Sequence, residues 1–139
     1  MIETTKAIVI NTIKYGDTSL IVTCFTKQSG LKTYLLKGVL KAKKSKIKAA
    51  YFQPLTLLTL TANHNSKGAL NSIREVQVSH FYKSIYTDIK KQSIALFLAE
   101  MLHISIQEEE QNETLFTYLE TSFLWLDTHT KTTNFHLLF

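Results

Sequence analysis

The stretch Thr4-Thr5-Lys6-Ala7-Ile8-Val9-Ile10-Asn11-Thr12-Ile13-Lys14, followed by Tyr15-Gly16-Asp17 and then by Thr18-Ser19-Leu20-Ile21-Val22-Thr23-Cys24-Phe25-Thr26, decides the fold class. Both runs are dense in β-branched residues, which fit a pleated surface, and Gly16-Asp17 supplies turn chemistry between them. They predict a hairpin over 4–14 and 18–26. A second turn, Gln28-Ser29-Gly30, leads into a third strand at 31–37. Gln53-Pro54 precedes a fourth at 55–61, where a proline at the strand start sacrifices no needed donor. The polar loop 63–68 then leads to an irregular fifth strand at 69–78, marked by Leu70, Ile73 and Val76. Five short strands with one long interruption suit a small closed barrel, which leaves no exposed edge.

Beyond Phe81 the period changes. Ile94, Phe97, Leu98, Met101 and Leu102 recur at helical spacing, predicting a helix from about Ser84 to Ile106. Asn112 is placed to cap a second helix that buries Leu115, Leu119, Phe123 and Leu126. The apolar ending Asn134-Phe135-His136-Leu137-Leu138-Phe139 looks like the start of another helix, so the expectation is an incomplete helical region in a truncated chain. The predicted class is α+β: a five-stranded barrel at 1–80 followed by a partial helical domain at 81–139.

Charge divides the chain at the same place. The net charge of +5 is the sum of a basic part and an acidic part. Residues 1–80 carry twelve Lys and Arg against three Asp and Glu, a surplus of +9, and the remainder carries four against eight. The polyanion affinity implied by a basic surface therefore belongs to the barrel. Its sharpest feature is Lys41-Ala42-Lys43-Lys44-Ser45-Lys46-Ile47-Lys48. In an extended chain Lys44, Lys46 and Lys48 lie on one side about 6.6 Å apart, a spacing that can follow phosphates. A solvated loop has the same composition; the domain-wide surplus favours polyanion binding.

Exposed rings distinguish a nucleic-acid platform from a merely basic surface, because unpaired bases stack on flat faces. If Leu20, Val22 and Cys24 point inward, alternation sends Ile21, Thr23 and Phe25 outward. The same logic on the third strand sends Lys32 and Tyr34 outward and Leu31, Thr33 and Leu35 inward. Tyr15, Tyr51 and Phe52 could flank such a patch. The alternative, that these rings pack against the helices, stays open, Phe25 being the first candidate for plain core.

Catalytic patterns are poor. Glu108-Glu109-Glu110 reads as a solvated connection, and the histidines at 64, 80, 103, 129 and 136 lack metal-ligand spacing. Cys24, the only cysteine, sits mid-strand and reads as a buried structural thiol; no disulfide or cysteine zinc cluster can form within the chain. No signal peptide or apolar run of about 20 residues occurs, so a soluble, cytoplasmic protein is expected. No enzyme is expected either.

Tyr15-Gly16-Asp17-Thr18-Ser19-Leu20-Ile21-Val22, Phe25-Thr26, Gly30, Lys37-Gly38, Ser45, Gln53-Pro54-Leu55-Thr56 and Arg74-Glu75, in that order and spacing, resemble the N-terminal region of the bacterial DNA repair family RecO. The likeness continues more weakly into Phe97-Leu98-Ala99-Glu100. The resemblance implies an OB-fold followed by a helical domain, in a nucleoid-associated recombination mediator of the RecFOR pathway. Such a mediator binds single- and double-stranded DNA, anneals complementary strands and helps load recombinase. Implied partners are RecR, the C-terminal tail of single-stranded DNA-binding protein (SSB) and, indirectly, RecA. Many members hold a four-cysteine zinc site in the later helical region; nothing before Phe139 corresponds, so no cofactor is expected here and a zinc site beyond Phe139 is possible. After Lys37-Gly38 the family tends to place arginines, whereas here Val39-Leu40 intervene and lysines follow, so binding should lean on charge more than on bidentate contacts. The expected DNA-contacting residues are Lys14, Tyr15, Lys32, Tyr34, Lys37, Lys41, Lys43, Lys44, Lys46, Lys48 and Arg74. The alternative function is a protein-interaction module that grips an acidic partner peptide.

Overall fold

The computed structural model describes residues 2–40, 49–64, 70–80, 82, 85, 87–105 and 112–128. Five strands, β1 (Ile2–Tyr15), β2 (Ser19–Thr26), β3 (Gly30–Leu36), β4 (Leu57–Asn63) and β5 (Ser72–His80), precede two helices, α1 (Ile89–Ser105) and α2 (Glu113–Thr128). The lysine run 41–48 lies outside the described residues, and a short 3₁₀ helix, Ala49–Phe52, follows it.

All strand pairs are antiparallel, in the order β3-β2-β1-β4-β5. The long β1 belongs to both halves, pairing with β4 through Ile2–Ile8 and with β2 through Ala7–Tyr15. It does so by a bulge between Val9 and Asn11, which bends the strand and shifts its phase by one residue. Closure comes from a parallel bridge between Tyr34 of β3 and Asn71, just before β5. There the Leu35 N–H donates to the Asn71 carbonyl at 3.0 Å and the Asn71 N–H to the Thr33 carbonyl at 2.9 Å. This five-stranded Greek-key barrel is the OB-fold.

Two turns use glycine where the backbone requires it, at Gly16 (φ 65°) between β1 and β2 and Gly30 (φ 71°) before β3. Leu55 takes the same left-handed region at φ 66°. That conformation explains why β4 starts at Leu57 and not at 55. Leu55 is wholly buried and donates its N–H to the Val9 carbonyl at 2.8 Å, which offsets a strain of about 1–3 kcal/mol.

Two apolar clusters result. The barrel interior holds Ala7, Val9, Leu20, Val22, Cys24, Tyr34, Leu36, Leu58, Leu60, Ala62 and Ile73. The second cluster joins the outer face of the barrel, through Ile8, Ile10, Phe25, Leu55 and Leu57, to Ala95, Leu98, Ala99, Leu102, Phe116, Leu119, Phe123 and Leu126 of the helices. Phe25 and Phe116 meet with ring centroids 6.0 Å apart. Burial pushes the Cys24 thiol above its ordinary range. Alkylation of the native protein at about pH 8 should therefore proceed only as fast as the barrel opens; rapid labelling would show that Cys24 is accessible.

The helices depart from the sequence reading in two respects, both on α1. Asn112 caps α2 as expected, its side-chain oxygen accepting from the Leu115 N–H at 3.0 Å. Asp88 caps α1 through the Lys90 N–H at 2.9 Å, so the helix begins at Ile89, later than periodicity placed it. The buried face of α1 is Lys91, Ala95, Leu98, Ala99 and Leu102, leaving Phe97 and Met101 exposed. Two alanines bring α1 close to its neighbours, and a stripe drawn from large residues alone misses them. A polar junction fastens the helices: buried Asp127 accepts from His80 Nε2 at 3.1 Å and from the Ile85 N–H at 3.2 Å, and Lys91 Nζ donates to its carbonyl. The Tyr82 hydroxyl donates to the Leu55 carbonyl. Among the described residues, no helix is long and apolar enough to cross a membrane.

Candidate nucleic-acid interface

Cross-strand register lays the outer face of β1–β3 out in rows. The lowest, Ile8–Phe25–Leu31, lies under the helices. Above it the face is open, first with Asn11–Thr23–Thr33 and then with Ile13–Ile21–Leu35. Tyr15, paired with Ser19, ends the sheet, where the Gly38 N–H donates to Ser19 Oγ at 3.2 Å. Side chains opposed in this way touch across strands, so each row is a continuous strip. Ile13 is 54% exposed and Tyr15 56%, while Ile21 and Leu35 are half-buried. Lys37, exposed, stands near the β3 end of the apolar row; Lys14, also exposed, is in register with inward-facing Leu20 and Leu36 and leaves β1 on the opposite face.

Leu35 and Lys37 also line an open cleft of about 980 Å³ with Glu3, Ser29, Lys32, Asn63, His64 and Leu70 to Ser72. Its floor is a hydrogen-bonded chain. Ser29 Oγ donates to the Glu3 carboxylate at 2.7 Å, His64 Nδ1 lies 3.1 Å from Glu3 Oε2, and the Tyr34 hydroxyl lies 2.7 Å from His64 Nε2. The carboxylate thus accepts from Ser29 and faces His64 Nδ1, and the imidazole bridges it to the phenol. Burial, reinforced by Cys24 and Glu3, holds the Tyr34 phenol far above its ordinary range, which keeps it a donor. Ser29 donates to the carboxylate and not to the imidazole. Tyr34→Phe should lower stability by about 1–2 kcal/mol in a denaturant titration, through loss of a buried hydrogen bond. It should leave DNA affinity within about twofold, because the ring faces the core.

The chain matches two family profiles, one described as Recombination protein O N terminal over residues 1–82 and the other as Recombination protein O C terminal over residues 86–139. The chain belongs to the RecO family. It is 49% identical over 134 residues to the "DNA repair protein RecO" of Flavobacterium johnsoniae and 51% over 134 residues to that of Flavobacterium psychrophilum, 96% of this chain in each case. It is 50% identical over its full length to the protein of the same name from Christiangramia forsetii. It spans 56–58% of the length of these relatives.

Within this RecO-family barrel the structure brings some of the expected contact residues together and removes others. Lys14, Tyr15, Lys37 and Arg74 are exposed, and Lys32 is half-buried at the cleft. Tyr15 and Lys37 border the open rows, whereas Lys14, in register with inward-facing Leu20 and Leu36, leaves on the opposite face of the sheet and Arg74 stands apart on β5. Lys41, Lys43, Lys44, Lys46 and Lys48, also expected to contact DNA, lie outside the described residues. Tyr34 requires correction: it is 0% exposed, inside the barrel. The phase assigned to β3 was inverted, because Tyr34 pairs with inward-facing Val22, and Leu31, Thr33 and Leu35 face outward. Phe25 does point outward but is covered by the helices, and Phe52 is buried in the barrel, so neither offers a ring to a base. Sequence reasoning missed the exposed Ile13 and the row it forms with Ile21 and Leu35; the signal was a β-branched apolar residue directly before Lys14-Tyr15 at the strand end. A four-cysteine zinc site does not fit this chain, whose one cysteine is enclosed in the barrel.

Proposed function

We propose that this chain is the DNA-gripping part of a recombination mediator in DNA repair, acting in the cytoplasm at the nucleoid. The observation that carries the reading is an open OB-fold face, Asn11–Thr23–Thr33 and Ile13–Ile21–Leu35, bordered by lysines on a barrel with a surplus of +9. The names of the relatives support the repair context. In this reading residues 1–80 hold single- and double-stranded DNA, and residues 81–139, part of a helical domain, carry the acidic balance. Lys6, salt-bridged to Glu120 at 3.6 Å, is drawn toward the helices, while Lys32 and Lys37 serve the cleft and the edge of the face.

Annealing on such a surface needs no nucleophile and no metal. Two strands that repel each other in solution share one basic surface, which lowers the electrostatic barrier to their meeting. RecR, the acidic tail of SSB and, through them, RecA are the partners proposed for loading recombinase onto protein-coated single strands. The alternative reading, a module that grips an acidic peptide, draws on the same cleft of lysines and apolar side chains. A salt titration with matched single-stranded and duplex DNA tests the main reading: if about five phosphates are contacted, log K falls against log salt with a slope of roughly −3.5 for single strands. A flat response, or retained peptide binding with no DNA binding, overturns it.

A further inference from the structure

Resting on the DNA-binding reading, the geometry points to a single strand held from its sugar–phosphate side: we propose that Ile13, Ile21 and Leu35 pack against deoxyribose, lysines at the margins meet phosphates, and the bases face away from the protein. A stacking platform needs a flat ring for each base it holds. The barrel has five aromatic residues, and four are unsuited: Phe25 is covered by the helices, Tyr34 and Phe52 are enclosed, and Tyr51 is half-buried against the interior cluster. Tyr15 alone is more than half exposed, at the end of the sheet, where it can hold one terminal base.

What the open face offers instead is aliphatic and hydroxyl-bearing. Three strands spaced about 4.8 Å apart make the Ile13–Ile21–Leu35 row roughly 10 Å long, a narrow strip suited to successive sugar rings. Below it Thr23 and Thr33, their hydroxyls 3.5 Å apart, and Asn11 supply short polar groups that can meet phosphate oxygens. Lys37 lies near one end of the strip, whereas Lys14, in register with inward-facing Leu20 and Leu36, leaves β1 on the opposite face; the strip runs into the cleft, because Leu35 lines both and Lys37 and Lys32 lie beyond. Among the described residues, two acids lie near this path. Glu3 is hydrogen-bonded to Ser29 and His64, and Asp17 sits in the turn beyond Tyr15. Charge distributed over the whole barrel matches a long polyanion better than a short acidic tail.

A strand held this way keeps its pairing edges in solvent, so a complementary strand can pair while the first remains bound. The grip is also indifferent to base sequence.

The test compares an oligothymidylate, an abasic oligodeoxynucleotide of equal length and a Glu/Leu peptide, on this chain and on Ile13→Ser and Tyr15→Ala, whose exposed positions leave the core intact. Both DNA probes should bind within about threefold of each other, and Ile13→Ser should weaken both by about fivefold with an unchanged salt slope. Tyr15→Ala should weaken only the oligothymidylate. An abasic strand bound more than about tenfold more weakly, or an Ile13→Ser variant that binds as well as the parent, overturns the inference while leaving DNA binding in place. Binding of the peptide and of neither DNA overturns the DNA-binding reading as well.

Discussion

Converting Lys41, Lys43, Lys44, Lys46 and Lys48 together to alanine should weaken single-strand binding by about a thousandfold at about 0.1 M salt and flatten the salt dependence. If these five lysines account for the roughly −3.5 slope, each tenfold drop in salt contributes about 3.5 decades of affinity, and that gain vanishes with the charges. The folded barrel should tolerate the change, because lysine-to-alanine substitutions away from a core seldom exceed about 0.5 kcal/mol each. Lys90→Ala, exposed on α1 in the acidic part of the chain, is the control and should change affinity less than about twofold. The fivefold arginine variant should retain the slope and gain affinity, since guanidinium adds bidentate phosphate contacts that a lysine point charge lacks. A fivefold alanine variant that kept the parent slope would transfer the grip to Lys14, Lys32 and Lys37.

The fold was legible because local signals agreed. β-Branched runs, Gly16 and Gly30 at the turns and Pro54 before β4 all specified the same five-stranded order, and Asn112 marked the start of α2. What failed was phase. One bulge at Ile10 lets both Ile10 and Asn11 face outward, and a strand read by strict alternation cannot reveal such a shift. On β3 the Leu-Lys-Thr-Tyr-Leu-Leu-Lys pattern has apolar residues on both faces, so composition left its orientation undetermined; pairing with β2 settles it in favour of Tyr34 and Leu36 inside. Tyr34 is tolerated there because its hydroxyl meets His64, thirty residues away in sequence. The candidate site was thus legible as charge and illegible as surface: the lysines are plain in one dimension, but the open apolar row exists only once three strands are in register.

Phe25→Ala should cost about 3–5 kcal/mol, the largest stability effect of any single substitution proposed for this chain. The ring is 1% exposed, lies between Ile8 and Leu31 across the strands and meets Phe116 of α2, so truncation removes both its transfer energy and an aromatic contact, and leaves a void between barrel and helices. Against a typical total of about 5–15 kcal/mol, such a loss brings a small domain near its threshold. In urea the midpoint should fall sharply; an unchanged m-value indicates that barrel and helices unfold together, whereas two transitions indicate that the helices detach first. Phe25→Leu, which restores most of the volume, should recover the greater part and leave DNA affinity unaltered. Ile21→Ala provides the comparison from the same face of the same strand. It lies above the helices and is half-buried, so it should cost less than about 1.5 kcal/mol while weakening DNA binding. Stability and binding should therefore separate along one strand, residue by residue, at the line where the helices end. Equal stability costs at the two positions would mean that the helices do not seat on this row, and the open face would then lose the lower boundary that defines it.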